Sequence, residues 1–208
     1  MKTQRLSMLA LVCLVMSGSV ASGLQRDSDP AGSSSPEQRP RPGDFRKELT
    51  AGATAPDWRL KTAEGETVAL SQLRGKVVVL DFWANWCKPC HKLTPLFDQL
   101  VREYREKPVS FFTVSIWPGR DFNPSTFLKE HKMASTLLIG DDEVANNYGI
   151  WGVPTYYVVD ASGKVAYLHV LLVADSEALG RRLRAAIDRA IPGEHGARAY
   201  LKSQEVTR

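Results

Sequence analysis

The chain has 208 residues, 43% of them hydrophobic and 24% charged, which suits one medium-sized domain with tails, since domains cluster around 100–150 residues. Its 27 Lys and Arg against 23 Asp and Glu give a net charge of +4, which falls to +2 without Lys2 and Arg5 of the first 21 residues, too balanced to imply a nucleic-acid partner. Three cysteines are too few for a disulfide framework.

Lys2 and Arg5 precede an apolar run, Leu6 to Met16, and the small residues Ser17, Gly18, Ser19, Val20 and Ala21, so residues 1–21 read as an export signal cleaved after Ala21. The other reading is an uncleaved amino-terminal anchor, although the run is short for a full span of about 20 residues. Cys13 follows Leu11 and Val12, which are bulkier than the residues a lipid-attachment site resembles. Loss of this segment leaves 25 basic and 23 acidic residues, a net of +2, and leaves Cys87 and Cys90 as the cysteines. Residues 22–50 are rich in Ser, Pro, Gly, Arg and Asp with little to bury, and read as a disordered linker. The folded domain is expected over 51–192, and 193–208 as a loose polar tail.

Within that domain, Ala55-Pro56-Asp57-Trp58-Arg59-Leu60 and Glu64 to Leu70 read as a small hairpin. Lys76 to Trp83, with its continuous Val77-Val78-Val79-Leu80, reads as a strand covered on both faces. Leu93, Leu96, Phe97, Leu100, Val101 and Tyr104 recur at helical spacing over about Cys87 to Glu106, with Pro95 expected to bend the helix. A strand at Val109–Ser115, a helix at Pro124–His131, a short strand at Ser135–Ile139 and a helix at Glu143–Tyr148 ending at Gly149 follow. Thr155–Val159 and Lys164–Val170, joined by Asp160-Ala161-Ser162-Gly163, form a hairpin, and an amphipathic helix closes the domain over Ser176–Ile191. This alternation predicts an α/β fold with a mixed central sheet and helices on both faces.

Chemistry concentrates at Trp86-Cys87-Lys88-Pro89-Cys90, where a strand runs into a helix. Free N–H groups and the positive end of the helix dipole stabilise a thiolate there, Lys88 adds a cation, and Pro89 suits the first turn, where a missing N–H is harmless. Cys87 is thus the candidate attacking sulfur and Cys90 the candidate resolving sulfur. Because burial opposes thiolate formation, Cys87 is expected to be partly exposed. A Cys-x-x-Cys beside strand and helix units reads as a thioredoxin-like redox motif, although the same motif is also half of a zinc site.

Together these residues resemble the thioredoxin superfamily, and within it the exported TlpA-like and ResA-like thiol-disulfide oxidoreductases, over about residues 52–191. The resemblance is carried by Ala55-Pro56, Leu70-Ser71-Gln72-Leu73-Arg74-Gly75-Lys76, Asp81-Phe82-Trp83, Trp86-Cys87-Lys88-Pro89-Cys90, Tyr148-Gly149-Ile150 and Gly152-Val153-Pro154-Thr155. It implies a thioredoxin-like fold with an amino-terminal hairpin and a helix-strand insertion between Ser115 and Tyr148. It also implies a redox-active Cys87–Cys90 disulfide and a buried Asp81 that takes the Cys90 proton during resolution; the alternative for Asp81 is structural hydrogen bonding at a strand end. Pro154 would be the cis proline facing the cysteines, although only about 5–6% of X-Pro bonds are cis in general. The Val153 backbone would then pair with an extended substrate segment, with Trp86 as an exposed apolar contact and Trp83 in packing. Leu93 stands where ResA-like members often carry Glu, so proton handling by that Glu is absent here.

The implied activity is protein-disulfide exchange, most simply as a reductase without cofactor or metal. Its implied partners are exported proteins with disulfides or thiols, such as apocytochromes c, and a membrane or periplasmic electron donor. The implied location is the bacterial periplasm or the outer face of the cytoplasmic membrane, with a membrane tether if the leader is kept. Two other classes stay open from the residues alone. A metal module or copper chaperone would draw on His91, His131, His169 and His195, with His169 in an apolar strand read as a satisfied core residue. A thiol peroxidase would resemble this fold, but Ala84 stands where such sites carry Thr three residues before the cysteine.

Overall fold

Val77–Trp83 forms a strand buried at all seven positions, as its unbroken apolar run requires. The computed structural model describes residues 49–171 and 175–193. The export signal, almost all of the linker and tail, Cys13 and His195 lie outside the described residues. The elements run β1 (Arg59–Thr62), β2 (Thr67–Ala69), a 3-10 turn at Leu70–Leu73, β3 (Val77–Trp83), α1 (Lys88–Glu103), β4 (Val109–Ser115), α2 (Pro124–His131), β5 (Thr136–Ile139), α3 (Asp142–Asn147), β6 (Thr155–Val159), β7 (Val165–Val170) and α4 (Ser176–Ala190).

Seven strands form one mixed sheet in the order β2-β1-β5-β4-β3-β6-β7. The β3–β4 and β4–β5 pairs are parallel, and the remaining pairs antiparallel. Alternate residues of β3 serve opposite faces. Val77 and Val79 pack with Leu93, Phe97 and Leu100 of α1 and Leu179, Leu183 and Ile187 of α4. Val78, Leu80 and Phe82 pack on the other face with Trp58, Phe112, Val144 and Tyr148, which includes α3. Each fully buried Leu or Phe in these layers stabilises the fold by roughly 1.5–3 kcal/mol relative to exposure.

The hairpin is shorter than its sequence suggests. Pro56 has no N–H to give a ladder, and Asp57 instead accepts the Ser71 N–H at 2.8 Å, so the chain pairs only from Arg59. Helix α1 stops at Glu103 rather than Glu106, because Pro108 disfavours helical backbone at Lys107 and the chain must turn back into β4.

Gly140, which follows β5, shows how tightly the insertion joins the sheet. A Cβ there would lie 2.8 Å from Val114 Cγ1, 2.9 Å from Ile116 Cγ2 and 3.0 Å from the Ser115 carbonyl oxygen. Its N–H also donates to that oxygen at 2.8 Å, so the backbone cannot drift away. Gly140→Ala is therefore expected to destabilise the protein by about 1–3 kcal/mol, measured as a lower urea midpoint with an unchanged slope.

Candidate functional site: a disulfide at the start of a helix

Cys87 is the N-cap of α1, with φ −80° and ψ 93°, and its Sγ accepts the Cys90 N–H at 3.2 Å. Pro89 occupies the first turn, which contains no acidic residue to oppose the dipole. The two sulfurs form a disulfide of 2.01 Å with Cα atoms 5.3 Å apart. One expectation is corrected: Cys87 is only 3% exposed and Cys90 4%. Both cysteines sit among Trp83, Ala84 and Leu137, flanked by Phe122, Phe127 and Val153.

Asp81 lies between Val79 and Trp83 on β3, and so faces the side of the sheet that α1 covers. It is buried, its Oδ1 has no hydrogen-bond partner among the described residues, and burial raises its pKa from 3.8 to about 8. Tyr156 stands opposite it on β6, and burial together with the Asp81 charge pushes that phenol well above its ordinary range. A carboxyl group held neutral under the first turn of a helix that carries two cysteines can exchange a proton near neutral pH.

The Val153–Pro154 bond is cis, as the resemblance implies. Phe82 pairs with Thr155, which brings Pro154 level with the end of β3, and Val153 packs against the cysteine cluster. Neither the N–H nor the C=O of Val153 makes a hydrogen bond among the described residues. Trp86 is 46% exposed and its indole N–H donates to the Trp117 carbonyl at 2.8 Å. Trp83 packs with His91, Phe122 and Phe127, as expected of a residue on a buried strand.

Two residues at the site, Trp151 and Asn85, carry no signal of their own in the sequence. Trp151, 48% exposed and two residues before Val153, falls between the two segments that carry the resemblance in that loop. Asn85 accepts the Gly119 N–H at 2.8 Å, and nothing in its local sequence announces this partner, which comes from the insertion. His91, one of the four histidines a metal module would draw on, has its ring centroid 6.1 Å from that of His131. His169 is not a satisfied core residue: it is half-buried, its Nε2 has no partner among the described residues, and burial lowers its pKa. Among the described residues, no group of three or more His, Cys, Asp or Glu side chains is arranged to hold a metal ion.

A Cys-x-x-Cys disulfide at a helix start, a buried acid behind it and a cis proline level with it, on a mixed sheet with helices on both faces, define a thioredoxin-like dithiol protein. The chain belongs to the AhpC/TSA family, whose model matches residues 51–168, more than half its length. It is 30% identical over 168 residues to the thiol-disulfide oxidoreductase ResA of Bacillus cereus, covering 79% of this chain and 87% of that protein. It is 32% identical over 124 residues to the thioredoxin-like protein YneN of Bacillus subtilis, covering 59% and 72% of the two chains. Among solved structures, it is similar to a protein assigned as thiol:disulfide interchange protein DsbE from Chlorobium tepidum, with 34% identity, a TM-score of 0.60, and coverage of 67% of this chain and 99% of the other. The thioredoxin domain of a thiol-disulfide oxidoreductase from Bacteroides vulgatus matches at 26% identity and a TM-score of 0.56, covering 65% and 99%. With its cysteine pair at disulfide distance, this chain is a thiol-disulfide oxidoreductase of that kind.

Proposed function

We propose that the protein is an exported disulfide reductase acting on other exported proteins, apocytochromes c among them, and recharged by a donor at the membrane. The Cys87 thiolate attacks a substrate disulfide, forming a mixed disulfide and releasing one substrate thiolate. Cys90 gives its proton to Asp81 and attacks Cys87 Sγ, which releases the second substrate thiolate and leaves the Cys87–Cys90 disulfide. Two electrons pass to the substrate. An extended substrate segment pairs with the Val153 backbone and lies against Trp86, an arrangement that gives affinity with little side-chain selectivity.

The single observation that carries this reading is the disulfide at the α1 N-cap with a buried Asp81 on the face beneath it, whose Oδ1 has no hydrogen-bond partner among the described residues. Export through residues 1–21, a periplasmic location or a tether on the outer face of the cytoplasmic membrane, and a linker over 22–50 that spaces the domain from that membrane complete the proposal. Ala84, three residues before Cys87, is fully buried and brings no hydroxyl to the sulfur, which favours disulfide exchange over peroxide reduction.

The test is the Cys90→Ser variant, which is expected to accumulate mixed disulfides through Cys87 with exported proteins, visible on non-reducing gels and lost on adding dithiothreitol. Failure to trap any substrate would remove the assigned roles. The reduction potential decides direction: a value near about −270 mV supports a reductase, and one near about −120 mV would make the protein an oxidant.

A further inference from the structure

Three contacts hold the turn that presents Cys87. Asn85 Oδ1 accepts the Gly119 N–H, the Trp86 indole donates to the Trp117 carbonyl, and His91 Nε2 meets the Asn85 carbonyl, each at 2.8 Å. A carbonyl only accepts, so Nε2 carries a proton in this contact, and Nδ1 is the ring nitrogen left to take up another. The His91 N–H also closes the first turn on the Cys87 carbonyl at 3.2 Å. Residues four apart on a helix have Cβ atoms about 5–6 Å from each other, and a helical side chain covers the turn on its amino-terminal side. The His91 ring therefore lies back over the turn that holds Cys87, as its contact with Asn85 requires.

That ring is seated in apolar surroundings. It stands edge-on to Trp83 at 5.7 Å and lies 6.2 Å from Phe127, and both of those rings belong to the packing around the sulfurs. Among other titratable or charged groups, His131 of α2 lies across 6.1 Å; Lys88 and Lys92 share α1 with His91, Asp81 precedes Trp83 by two residues on β3, and the exposed Arg120 and Asp121 follow Gly119 in the chain.

We propose that His91 is a positioning residue for the Cys87 sulfur: it fixes the Asn85 carbonyl in the turn before the cysteine and, by taking up a proton, favours the Cys87 thiolate. When a donor dithiol reduces the protein, two electrons break the Cys87–Cys90 bond and the donor becomes a disulfide. Of the two protons released, one goes to Cys90 and the other to His91, leaving a thiolate on Cys87 and an imidazolium one helical turn away. Linkage is reciprocal, so forming the thiolate must raise the proton affinity of His91 by as much as the imidazolium favours the thiolate. The inference rests on the reading of Cys87 as the attacking sulfur.

The wild-type protein supplies the first test. The pH midpoint of the His91 ring-proton resonance is expected to lie higher in the reduced than in the oxidised protein, by roughly one unit, which is about a tenfold change in proton affinity. Identical curves in the two redox states would overturn the proposal. His91→Gln keeps a donor for the Asn85 carbonyl but cannot take the charge. Its thiolate absorbance at about 240 nm should rise roughly one pH unit later than in wild type, whereas a superimposed curve would overturn the proposal as well. His131→Gln should leave the redox-dependent shift of His91 in place. If Cys90→Ser traps no substrate while the His91 shift persists, the exchange reading fails and the histidine coupling stands; the opposite pattern removes only the coupling.

Discussion

Cys87→Ser is expected to abolish disulfide reduction, by at least about a thousandfold in a dithiothreitol-driven assay with a disulfide reporter peptide. The nucleophile of the exchange is a thiolate, and a serine hydroxyl at a helix start does not ionise near neutral pH. The variant should remain folded. Its lost cross-link closes a loop of only four residues, so the chain-entropy cost is about 2 kcal/mol, and the sheet and its two apolar layers do not depend on it. Residual activity near wild type would show that a different sulfur or a different chemistry does the work.

Asp81→Asn is expected to change the pH dependence of stability and to slow the resolving step. Burial lifts the folded-state pKa from 3.8 to about 8, so between those values the folded protein keeps a proton that the unfolded chain releases. Stability of the oxidised wild type should therefore fall as pH rises through that window, by on the order of 1.4 kcal/mol per unit, and level off above it. The Asn variant should lack this slope, matching wild type near the acid end of the window and exceeding it by several kcal/mol above its alkaline end. Urea midpoints of the oxidised proteins across that range measure the difference. If the two profiles run parallel, Asp81 is ionised in the fold and burial does not hold its proton. In the proposed mechanism Asp81 accepts the Cys90 proton, so the same substitution should slow release of a preformed mixed disulfide by roughly a hundredfold near neutral pH. The deficit should shrink in alkaline buffer, where Cys90 ionises unaided.

These two outcomes separate the roles of the cysteine and the acid. Loss of Cys87 removes the chemistry with a modest effect on stability, whereas loss of Asp81 trades catalytic speed for a more stable core. A buried carboxyl that destabilises the protein when it ionises, and whose Oδ1 has no partner among the described residues, is poorly explained by structural hydrogen bonding.

Much of this was legible in the chain because local physics dictated it. Val77–Trp83 could only be an interior strand, the 3.6-residue recurrence from Leu93 to Leu100 marked the buried face of α1, and two cysteines at a strand-to-helix junction marked the thiolate site. Asp81, Val153 and Pro154 became interpretable through resemblance, since nothing in their own neighbourhoods says what they face. Their placement at the cysteines is a product of strand pairing: Phe82 opposite Thr155 brings two segments more than 70 positions apart to one end of the sheet.

Sequence alone determined the fold class, the redox pair and the helix that carries it, because hydrophobic periodicity and the chemistry of a helix start act over a few residues. Tertiary structure alone decided that the oxidised Cys87 is buried, that Asn85 is held by Gly119, and that His91 lies over the cysteine turn within 6.1 Å of His131. Each of these depends on the insertion that follows β4, between Ser115 and Tyr148, folding back against the start of α1, and on side chains from separate elements excluding water together. Contacts of that kind follow from the packing of the whole sheet, which no short stretch of the chain encodes.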